Sequence, residues 1–278
     1  MADPVDRIDS TIRQRQAAAD HPLNTVPSNI KPNGRIPNTP LAASTISFLL
    51  GSLFSLGMLT YVVGGYESYW WSTYQLGLFI AAWSAFHWGE FAVTAGWNLE
   101  KCSVDSFLLD NGSMYHIAHG TALVEYFLTL YFKPSWKSYP HVSTAGQHFS
   151  LLITPLIMPV SSGVVLVLVG QVLRSTAMIH ATTNFSHMVA FKKQDSHVLV
   201  TDGVYAWFRH PSYAGFFYWA LGTQLVLQNP LSFVGFIVVL WRFFYFRTRA
   251  EERALIKFFG DEYVQYRRSV GTKIPFIP

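Results

Sequence analysis

The chain has 278 residues, of which 50% are hydrophobic, 16% aromatic and only 13% charged, and its mean hydropathy is +0.23. This composition excludes an ordinary soluble domain and predicts a protein that crosses a membrane several times. The net charge of +4 would by itself allow nucleic-acid binding. The basic residues follow the membrane-flanking segments instead, so we expect a lipid bilayer and no nucleic acid as partner.

The first 40 residues are polar, contain several prolines and lack an apolar core. We interpret 1–40 as a disordered cytoplasmic tail and 41–278 as one membrane-embedded domain, with the chemical motifs in 171–278. We predict no cleavable signal peptide, because the first long apolar run is long enough to span a bilayer. Cys102 is the only cysteine, so an intrachain disulfide is excluded.

Six apolar stretches approach the roughly 20 residues that a spanning helix needs. They predict an all-α polytopic fold with about six transmembrane helices and a C-terminal cytosolic region. The stretches are 41–64, 72–97, 113–132, 149–172, 212–228 and 231–247. Only Asn229 and Pro230 separate the last two, which predicts a tight hairpin turn.

The distribution of basic residues predicts the orientation. With both termini in the cytoplasm, all of the 20 lysines and arginines except Lys133 and Lys137 fall on the cytoplasmic side. This asymmetry agrees with the positive-inside rule, and an odd number of spans would spoil it.

Five ionisable residues are predicted to lie at membrane depth, where such groups are functional by default because their burial is costly. Spacings of three residues place the pairs within one span on a shared face, which permits a metal site. Hydrogen bonds between neighbouring helices explain the same pattern, and we favour them and predict no metal. The five are His87, Glu90, His116, His119 and Glu125.

The C-terminal third carries the polar motifs. The run Arg209–Gly215 places His210 just before Pro211, which is favoured at the first position of a helix, so His210 should face a helix N-terminus. Such a position suits a polar or anionic ligand. Arg247 and Glu251 share one helix face at the other end of the same hairpin. A plain basic flank would explain Arg209 equally well.

Several of these motifs together resemble the isoprenylcysteine carboxyl methyltransferases. The resemblance covers nearly everything from residue 40 onward, and its short first hairpin is similar to the fungal members. The animal members have two further N-terminal helices. The resemblance is carried by 86–91, 106–109, 184–187, 203–205, Arg209–Gly215, 241–244, Arg247, Glu251–Glu252 and 259–263.

The resemblance implies an endoplasmic reticulum enzyme that methylates the C-terminal carboxylate of prenylated cysteine with S-adenosylmethionine. Its substrates would be processed C-a-a-X proteins, such as Ras-like GTPases and pheromone-like prenylated peptides. No Gly-rich turn of the G-x-G-x-x-G type follows a predicted strand, so we expect no Rossmann domain. The prenyl tail should enter sideways from the bilayer.

The resemblance also implies roles for individual residues. Glu251 would bind the ammonium group of the cofactor, while Arg247 and Arg174 would bind the substrate carboxylate, and these three form the predicted catalytic set. Independently of the resemblance, the segment Phe258–Tyr266 is typical of an amphipathic helix that would cover the site, and a plain cytoplasmic anchor would explain it equally well. The implied cofactor-binding residues are His197, Val198, Leu199, Val200, Tyr205, His210, Pro211, Ser212, Tyr213 and Glu251.

Three other functions stay open at this point. A sterol reductase shares a similar C-terminal Arg-His-Pro-x-Tyr hairpin but binds NADPH, and such enzymes are usually longer. A phospholipid N-methyltransferase would keep the cofactor and methylate an amine. A lipid-binding scaffold without catalytic activity would need none of the polar hairpin residues.

Overall fold

The computed structural model describes residues 36–63, 69–137, 158–190, 192–193 and 197–278. The predicted tail therefore lies almost wholly outside the described residues. All regular structure in these ranges is helical, joined by short 3₁₀ turns, and none of it is strand. The helices are α1 (Pro40–Val63), α2 (Tyr74–Trp97), α3 (Ser113–Phe132), α4 (Met158–Ala181), α5 (Pro211–Leu227), α6 (Pro230–Phe259) and α7 (Asp261–Ser269).

Within the described ranges, four helical segments are long and apolar enough to cross a membrane. They are α1, α2, the segment from Val160 to Asn184, and α6. The other two predicted spans correspond to α3 and α5, and the count of six stays a prediction. The 17 residues of α5 make a helix of about 25 Å, shorter than the roughly 30 Å hydrocarbon core. Most of them are buried against other helices, so their apolar character serves the protein core.

The fourth span continues past its apolar stretch, as the sequence from Gln171 onward predicts. The apolar stretch ends at 172 and α4 continues to Ala181, while the predicted residues 149–157 lie outside the described part. The sequence becomes polar at Arg174, which suggested an interface. The helix continues because Arg174 is buried and paired there, as shown below.

The α4–α5 contact is built on glycines. A Cβ atom on Gly170 would lie 2.6 Å from the carbonyl oxygen of Gly215, and one on Gly163 would lie 2.8 Å from that of Gly222. Small residues at these positions allow two helix backbones to touch, as is common between membrane helices. This close approach brings the start of α5 beside the end of α4.

The predicted hairpin at Asn229–Pro230 is confirmed, and polar side chains fix it. Gln228 adopts a left-handed conformation (φ +54°) after α5, and Pro230 is the first residue of α6. The Nζ atom of Lys137 donates hydrogen bonds of 2.7 Å to the Leu227 and Gln228 carbonyl oxygens. These bonds satisfy carbonyl groups that the end of a helix leaves open.

Glu125 secures the same hairpin from α3. Its carboxylate accepts hydrogen bonds from the backbone N–H groups of Leu231, at 2.9 Å, and Ser232, at 2.6 Å. A carboxylate at a helix N-terminus is stabilised by the exposed N–H groups and by the helix dipole. Glu125 therefore has a structural role at the beginning of α6.

The last helix of the hairpin extends far beyond its predicted end at 247. The 30 residues of α6 span about 45 Å, more than the roughly 30 Å hydrocarbon core. We expected one helix over Phe258–Tyr266, but Gly260 (φ +57°) separates α6 from α7. The positive φ, which glycine adopts at little cost, allows the chain to turn back.

The glycine contact between α4 and α5 gives a test of the packing. Replacing Gly170 with alanine should destabilise the protein by about 1–3 kcal/mol, because its Cβ would press on the α5 backbone. Gly120→Ala is the matched control, since a Cβ there meets nothing within 4 Å, and it should be neutral or slightly stabilising. Thermal unfolding in detergent measures both. Equal melting temperatures for the two variants would contradict this packing.

Candidate functional site

The main C-terminal cavity lies between the end of α4, the start of α5, the late turns of α6 and α7. Its volume is about 140 Å³. Nine of the ten predicted cofactor-binding residues line this cavity, which the structure assembles from three separated segments of the chain. They are His197, Val198, Leu199, Val200, Tyr205, His210, Pro211, Tyr213 and Glu251, and Arg209, Tyr263 and Tyr266 also line it.

Hydrogen bonds hold the loop before α5 against its neighbours. The Tyr205 hydroxyl donates to the carbonyl oxygen of Ala177 at 3.2 Å, and the Tyr266 hydroxyl donates to the carbonyl oxygen of Tyr205 at 2.7 Å. The backbone N–H of Val198 donates to Asn184 Oδ1 at 2.8 Å. These bonds join the loop to α4 and α7, so the wall of the C-terminal cavity is fixed from both sides.

His210 is the N-cap of α5, as predicted, and lies between two carboxylates. Its Nδ1 is 3.4 Å from Glu251 Oε2 and its Nε2 is 3.3 Å from Glu252 Oε1. Its ring is also stacked on that of Tyr213, with 5.3 Å between the centroids. Burial alone would lower the pKa of His210, but the two carboxylates outweigh it and raise the pKa above the ordinary value.

Glu251 brings a carboxylate to the C-terminal cavity. Its Oε2 faces His210 Nδ1, and 31% of its side chain stays exposed. The part of the carboxylate that faces the cavity would stabilise a cation or a hydrogen-bond donor there. The structure therefore gives the C-terminal cavity one anionic binding position.

Arg209 is not a loose interfacial charge. Its side chain is buried, and its Nε lies 2.6 Å from Glu252 Oε1. The same guanidinium donates to the carbonyl oxygens of Val270, at 2.5 Å, and Pro278, at 2.5 Å. Arg209 thus binds α6 and the segment after α7 to the start of α5.

Arg174 forms a buried ion pair with Glu90 of α2. Arg174 Nε lies 2.5 Å from Glu90 Oε1, and its Nη2 lies 2.8 Å from Glu90 Oε2. The third nitrogen, Nη1, donates to the Ser212 hydroxyl at 2.9 Å. The planar guanidinium matches the carboxylate in the two-bond geometry that is typical of strong pairs. Most of the donors of Arg174 are therefore already used.

A second, smaller cavity of about 60 Å³ lies beside this ion pair. We call it the junction cavity. Its lining combines two arginines with polar and aromatic side chains. The lining residues are Arg174, Arg247, Ser212, Tyr213, His187, Phe185, Ser186, Leu108, Asn111, Phe216, Phe243 and Phe244. Ser212, which we expected among the cofactor-binding residues, belongs here. It follows Pro211 in the first turn of α5, where successive side chains diverge by about 100°.

Arg247 reaches the junction cavity from α6. Its Nε donates to the Tyr213 hydroxyl at 2.8 Å, and its Nη2 donates to the carbonyl oxygen of His187 at 2.5 Å. Unlike Arg174, it has no carboxylate within ion-pair distance among the described residues. Burial lowers the pKa of His187 to about 4, so His187 is neutral near pH 7. Arg247 is therefore the charge available to an anion in this cavity.

Two further cavities adjoin the junction cavity. An apolar cavity of about 110 Å³ lies between α3, α5 and α6 and shares Asn111, Phe216 and Phe243 with it. A polar cleft of about 380 Å³ lies between the α2–α3 connection and 185–188, and shares Arg247 and His187 with it.

Of the other ionisable residues of the predicted spans, His87 bridges two structural elements, His119 bonds within its own helix, and His116 is exposed. His87 Nδ1 donates to the Phe107 carbonyl oxygen at 2.7 Å, which leaves its Nε2 to accept from the Tyr115 hydroxyl at 2.7 Å. His119 Nδ1 donates to the Tyr115 carbonyl oxygen at 3.0 Å. In the part of the chain that the structure describes, no group of three or more metal-ligand side chains occurs.

Sequence reasoning missed the partners of the predicted arginines. We associated Glu90 with His87 through their spacing, but Glu90 pairs with Arg174, 84 residues away. The available signal was charge: an acid and a base at depth in separate spans are expected to pair, since an unpaired charge is costly there. For His187 the signal was its place in the 184–187 motif of the resemblance, whereas for Asn111, which also lines the junction cavity from a loop, the sequence holds no comparable signal.

A family model and several relatives match the chain. The model of the isoprenylcysteine carboxyl methyltransferase (ICMT) family matches residues 163–257. The protein-S-isoprenylcysteine O-methyltransferase of Saccharomyces cerevisiae is 47% identical over 203 residues, which is 73% of this chain and 80% of that protein. Its namesake in Schizosaccharomyces pombe is 42% identical over 245 residues, covering 87% and 98%. The namesake in Homo sapiens is 40% identical over 228 residues, covering 82% and 72%.

A solved structure is also similar. It is a structure of the eukaryotic intramembrane Ras methyltransferase, with a TM-score of 0.74 and 36% sequence identity. The match covers 85% of this chain and 77% of that one. These matches carry the same activity name. None of the matches reported above supports the alternatives of sterol reduction and phospholipid methylation.

The ion pair between Glu90 and Arg174 gives a test of the site. Either Glu90→Gln or Arg174→Gln should cost about 3–5 kcal/mol of stability, because the remaining charge is buried without its partner. The double variant should cost less than the sum of the two single changes. Thermal unfolding in detergent measures all three, with the exposed Glu262→Gln as a control. If the loss of stability in the double variant equals the sum of the losses in the two single variants, Glu90 and Arg174 do not form a direct pair.

The two carboxylates around His210 predict a pH dependence. The folded protein holds the His210 proton more tightly than the unfolded chain, so this stabilisation is complete below pH 6.5 and declines as the pH rises through the raised pKa. Stability should therefore fall between pH 6.5 and 8 in the wild type and fall less in His210→Gln.

Between pH 6.5 and 8, the stability is little affected by two other groups whose titration would have the opposite effect. His187, with a pKa of about 4, affects stability mainly below pH 6.5. Burial lowers the pKa of Lys137 to about 8, so Lys137 acts mainly above that pH. Thermal unfolding at several pH values gives the slope of stability against pH for the wild type and for His210→Gln. Identical slopes would contradict a raised pKa of His210.

Proposed function

Because the chain belongs to the isoprenylcysteine carboxyl methyltransferase family, we propose that it forms the methyl ester of the C-terminal carboxylate of prenylated cysteine with S-adenosylmethionine as donor. The chain is a multi-pass membrane protein with methyltransferase relatives over most of its length. Its substrates would be prenylated proteins with a trimmed C-a-a-X end, including Ras-like GTPases and pheromone-like peptides. We place it in the endoplasmic reticulum membrane with both termini in the cytoplasm.

One observation carries the proposal. Arg247 and Glu251 are one turn apart on α6, but Arg247 lines the junction cavity and Glu251 lines the C-terminal cavity. The two cavities share Phe185, Ser186 and Tyr213. A cationic position for an anion and an anionic position for a cation therefore lie on either side of one shared wall.

The C-terminal cavity fits the methyl donor. S-adenosylmethionine supplies an electrophilic methyl group on a sulfonium centre and also carries an ammonium group. The partly exposed carboxylate of Glu251 suits the ammonium group, and His210 holds the Glu251 side chain in position through its contact with Oε2. The aromatic rings of Tyr205, Tyr263 and Phe258 supply flat apolar surface for a nucleobase.

The junction cavity fits the acceptor carboxylate. Arg247 would orient the carboxylate, while Arg174, neutralised by Glu90, would maintain the shape of the cavity through Ser212. No general base is needed, because an α-carboxyl group with a pKa near 3.5 is already ionised at neutral pH. The surrounding phenylalanines exclude water, so alignment and desolvation of the carboxylate are the contributions of the protein.

The apolar cavity between α3, α5 and α6 fits the prenyl chain. Met114, Ala118, Phe236, Val239 and Leu240 are among its lining residues, and it meets the junction cavity at Phe216 and Phe243. A prenyl chain lying there would enter from the bilayer between these helices. Burial of its apolar surface would supply most of the affinity.

The activity has a direct test. Purified protein with labelled S-adenosylmethionine and N-acetyl-S-farnesylcysteine should produce a base-labile methyl ester. Binding of the donor without any ester would overturn the proposal. Methylated phosphatidylethanolamine would instead indicate a phospholipid N-methyltransferase, and binding of NADPH would indicate a reductase.

Two variants separate the roles of the α6 residues. Glu251→Gln should reduce donor binding at least tenfold, because it removes the charge that pairs with the ammonium group. Arg247→Ala should keep donor binding but reduce kcat/KM for the farnesylcysteine analogue about a hundredfold, since charge-assisted bonds to the carboxylate are lost. Calorimetry measures binding and ester formation measures turnover.

Arg253→Ala is the control for these variants. Arg253 is exposed on the same helix and lines none of the four cavities. Its loss should leave both readouts unchanged. Unimpaired turnover in both Glu251→Gln and Arg247→Ala would show that the site lies elsewhere.

A further inference from the structure

Three cavities meet at the junction cavity. The C-terminal cavity adjoins it at Tyr213, the apolar cavity at Phe216, and the polar cleft at His187. Arg247 lines both the junction cavity and the polar cleft, and Asn111 lines these two and the apolar cavity. The proposed reaction uses the first two neighbours of the junction cavity and assigns nothing to the third, although the polar cleft is the largest of the four, at about 380 Å³.

The proposed substrate also has three branches. The Cα atom of a C-terminal prenylcysteine carries a carboxylate, a thioether with the prenyl chain, and the nitrogen of the preceding peptide bond. If the carboxylate meets Arg247 and the prenyl chain lies in the apolar cavity, the polypeptide must leave the junction cavity by another route. That route must be polar and open to water, because every upstream backbone group needs a hydrogen-bond partner.

We propose, resting on the function above, that the polar cleft binds the polypeptide residues immediately upstream of the prenylcysteine. The cleft would make the enzyme sensitive to the sequence of its protein substrate and not only to the lipid. It runs from the junction cavity toward the connection between α2 and α3, beyond the last turn of α2.

The lining of the polar cleft suits a peptide backbone. Hydroxyl and amide side chains line it, among them Asn98, Ser103 and Asn111. Asn111 is exposed at the point where the cleft meets the junction cavity, and its side-chain amide makes no hydrogen bond with the described residues. A primary amide both donates and accepts, so it matches the C=O and N–H groups of an extended peptide.

The charges of the cleft favour basic upstream residues. Its acidic side chains are Asp105 and Asp110, and Asp110 is exposed. Lys101 also lines this part of the cleft and donates to the carbonyl oxygens of Thr183, at 2.5 Å, and Phe185, at 3.0 Å. Arg247 lies at the inner end, where the carboxylate of the substrate would pair with it. Asp105 has a partner of its own, so Asp110 is the carboxylate with which a basic upstream residue would pair.

The test compares three substrates in the same ester assay. They are N-acetyl-S-farnesylcysteine, a farnesylated peptide with serine and glycine upstream, and the same peptide with two lysines upstream. We expect the lysine peptide to have the highest kcat/KM. In Asp110→Asn its advantage over the serine–glycine peptide should shrink about two- to fivefold, the size of effect that one partly exposed ion pair supports.

Two variants complete this test. Asp110→Asn should leave kcat/KM for the acetylated cysteine unchanged, because Asp110 lines only the polar cleft and only the peptides extend along it. Glu100→Gln removes an equal charge from a neighbouring exposed residue that does not line the cleft, and it should leave the preference for lysine as it is. The same loss of preference in Glu100→Gln and Asp110→Asn would reduce the effect to general electrostatics and overturn the proposal.

A crosslinking experiment locates the peptide independently of the kinetics. A farnesylated peptide with a benzophenone amino acid directly before the cysteine should label residues in 98–111 or 185–188 of the wild-type protein. Labelling confined to α7 or to the α3–α6 surface would overturn the assignment of the cleft. If the acetylated cysteine is not methylated at all, the function itself fails. If it is methylated but peptides label elsewhere and show no preference, only this inference fails.

Discussion

The ion pair between Glu90 and Arg174 is the constraint on which the arrangement of the site depends. Two opposite charges from helices 84 residues apart meet in an apolar interior, and each would be costly without the other. The pair fixes α2 against α4, and the third nitrogen of the arginine continues to Ser212 at the start of α5. The glycine contact between α4 and α5 allows this reach, because it brings the two backbones close together. Helix packing and cavity shape are therefore set by the same side chain.

The length of α6 serves a different need. Its first half has the composition of a membrane helix, while its last three turns carry Arg247, Glu251 and Glu252 beyond the apolar stretch. The two adjacent glutamates diverge around the helix, and they do different work. Glu252 pairs with both Arg209 and His210. These contacts hold the loop, α7 and the C-terminal segment together. Glu251 also contacts His210, but its side chain stays partly exposed toward the C-terminal cavity, because Glu252 takes the pairing with Arg209.

Much of the fold and of the candidate site could be predicted from the sequence, for identifiable reasons. Long apolar runs and proline positions placed the helices and the hairpin at Asn229, because membrane thickness and backbone geometry act locally. Nine cofactor-binding candidates lie around one cavity because their motifs came from a resemblance that spans most of the chain. The position of Ser212 beside the junction cavity and the pairing of Arg209 stayed open, since each depends on a contact between distant segments. The break at Gly260 was missed because one glycine in a helical pattern does not reveal its φ angle.

Arg247 has a consequence for how a catalytic cycle would end. It lines the junction cavity without a carboxylate of its own among the described residues, so an arriving anion would supply its counter-charge. Esterification would remove that charge from the bound molecule while leaving the arginine in place. The product would then be a neutral methyl ester that no longer pairs with Arg247, so the affinity of the site would fall at the moment that chemistry is complete. On this account an arginine without a carboxylate of its own favours release of the modified chain as well as binding of the unmodified one.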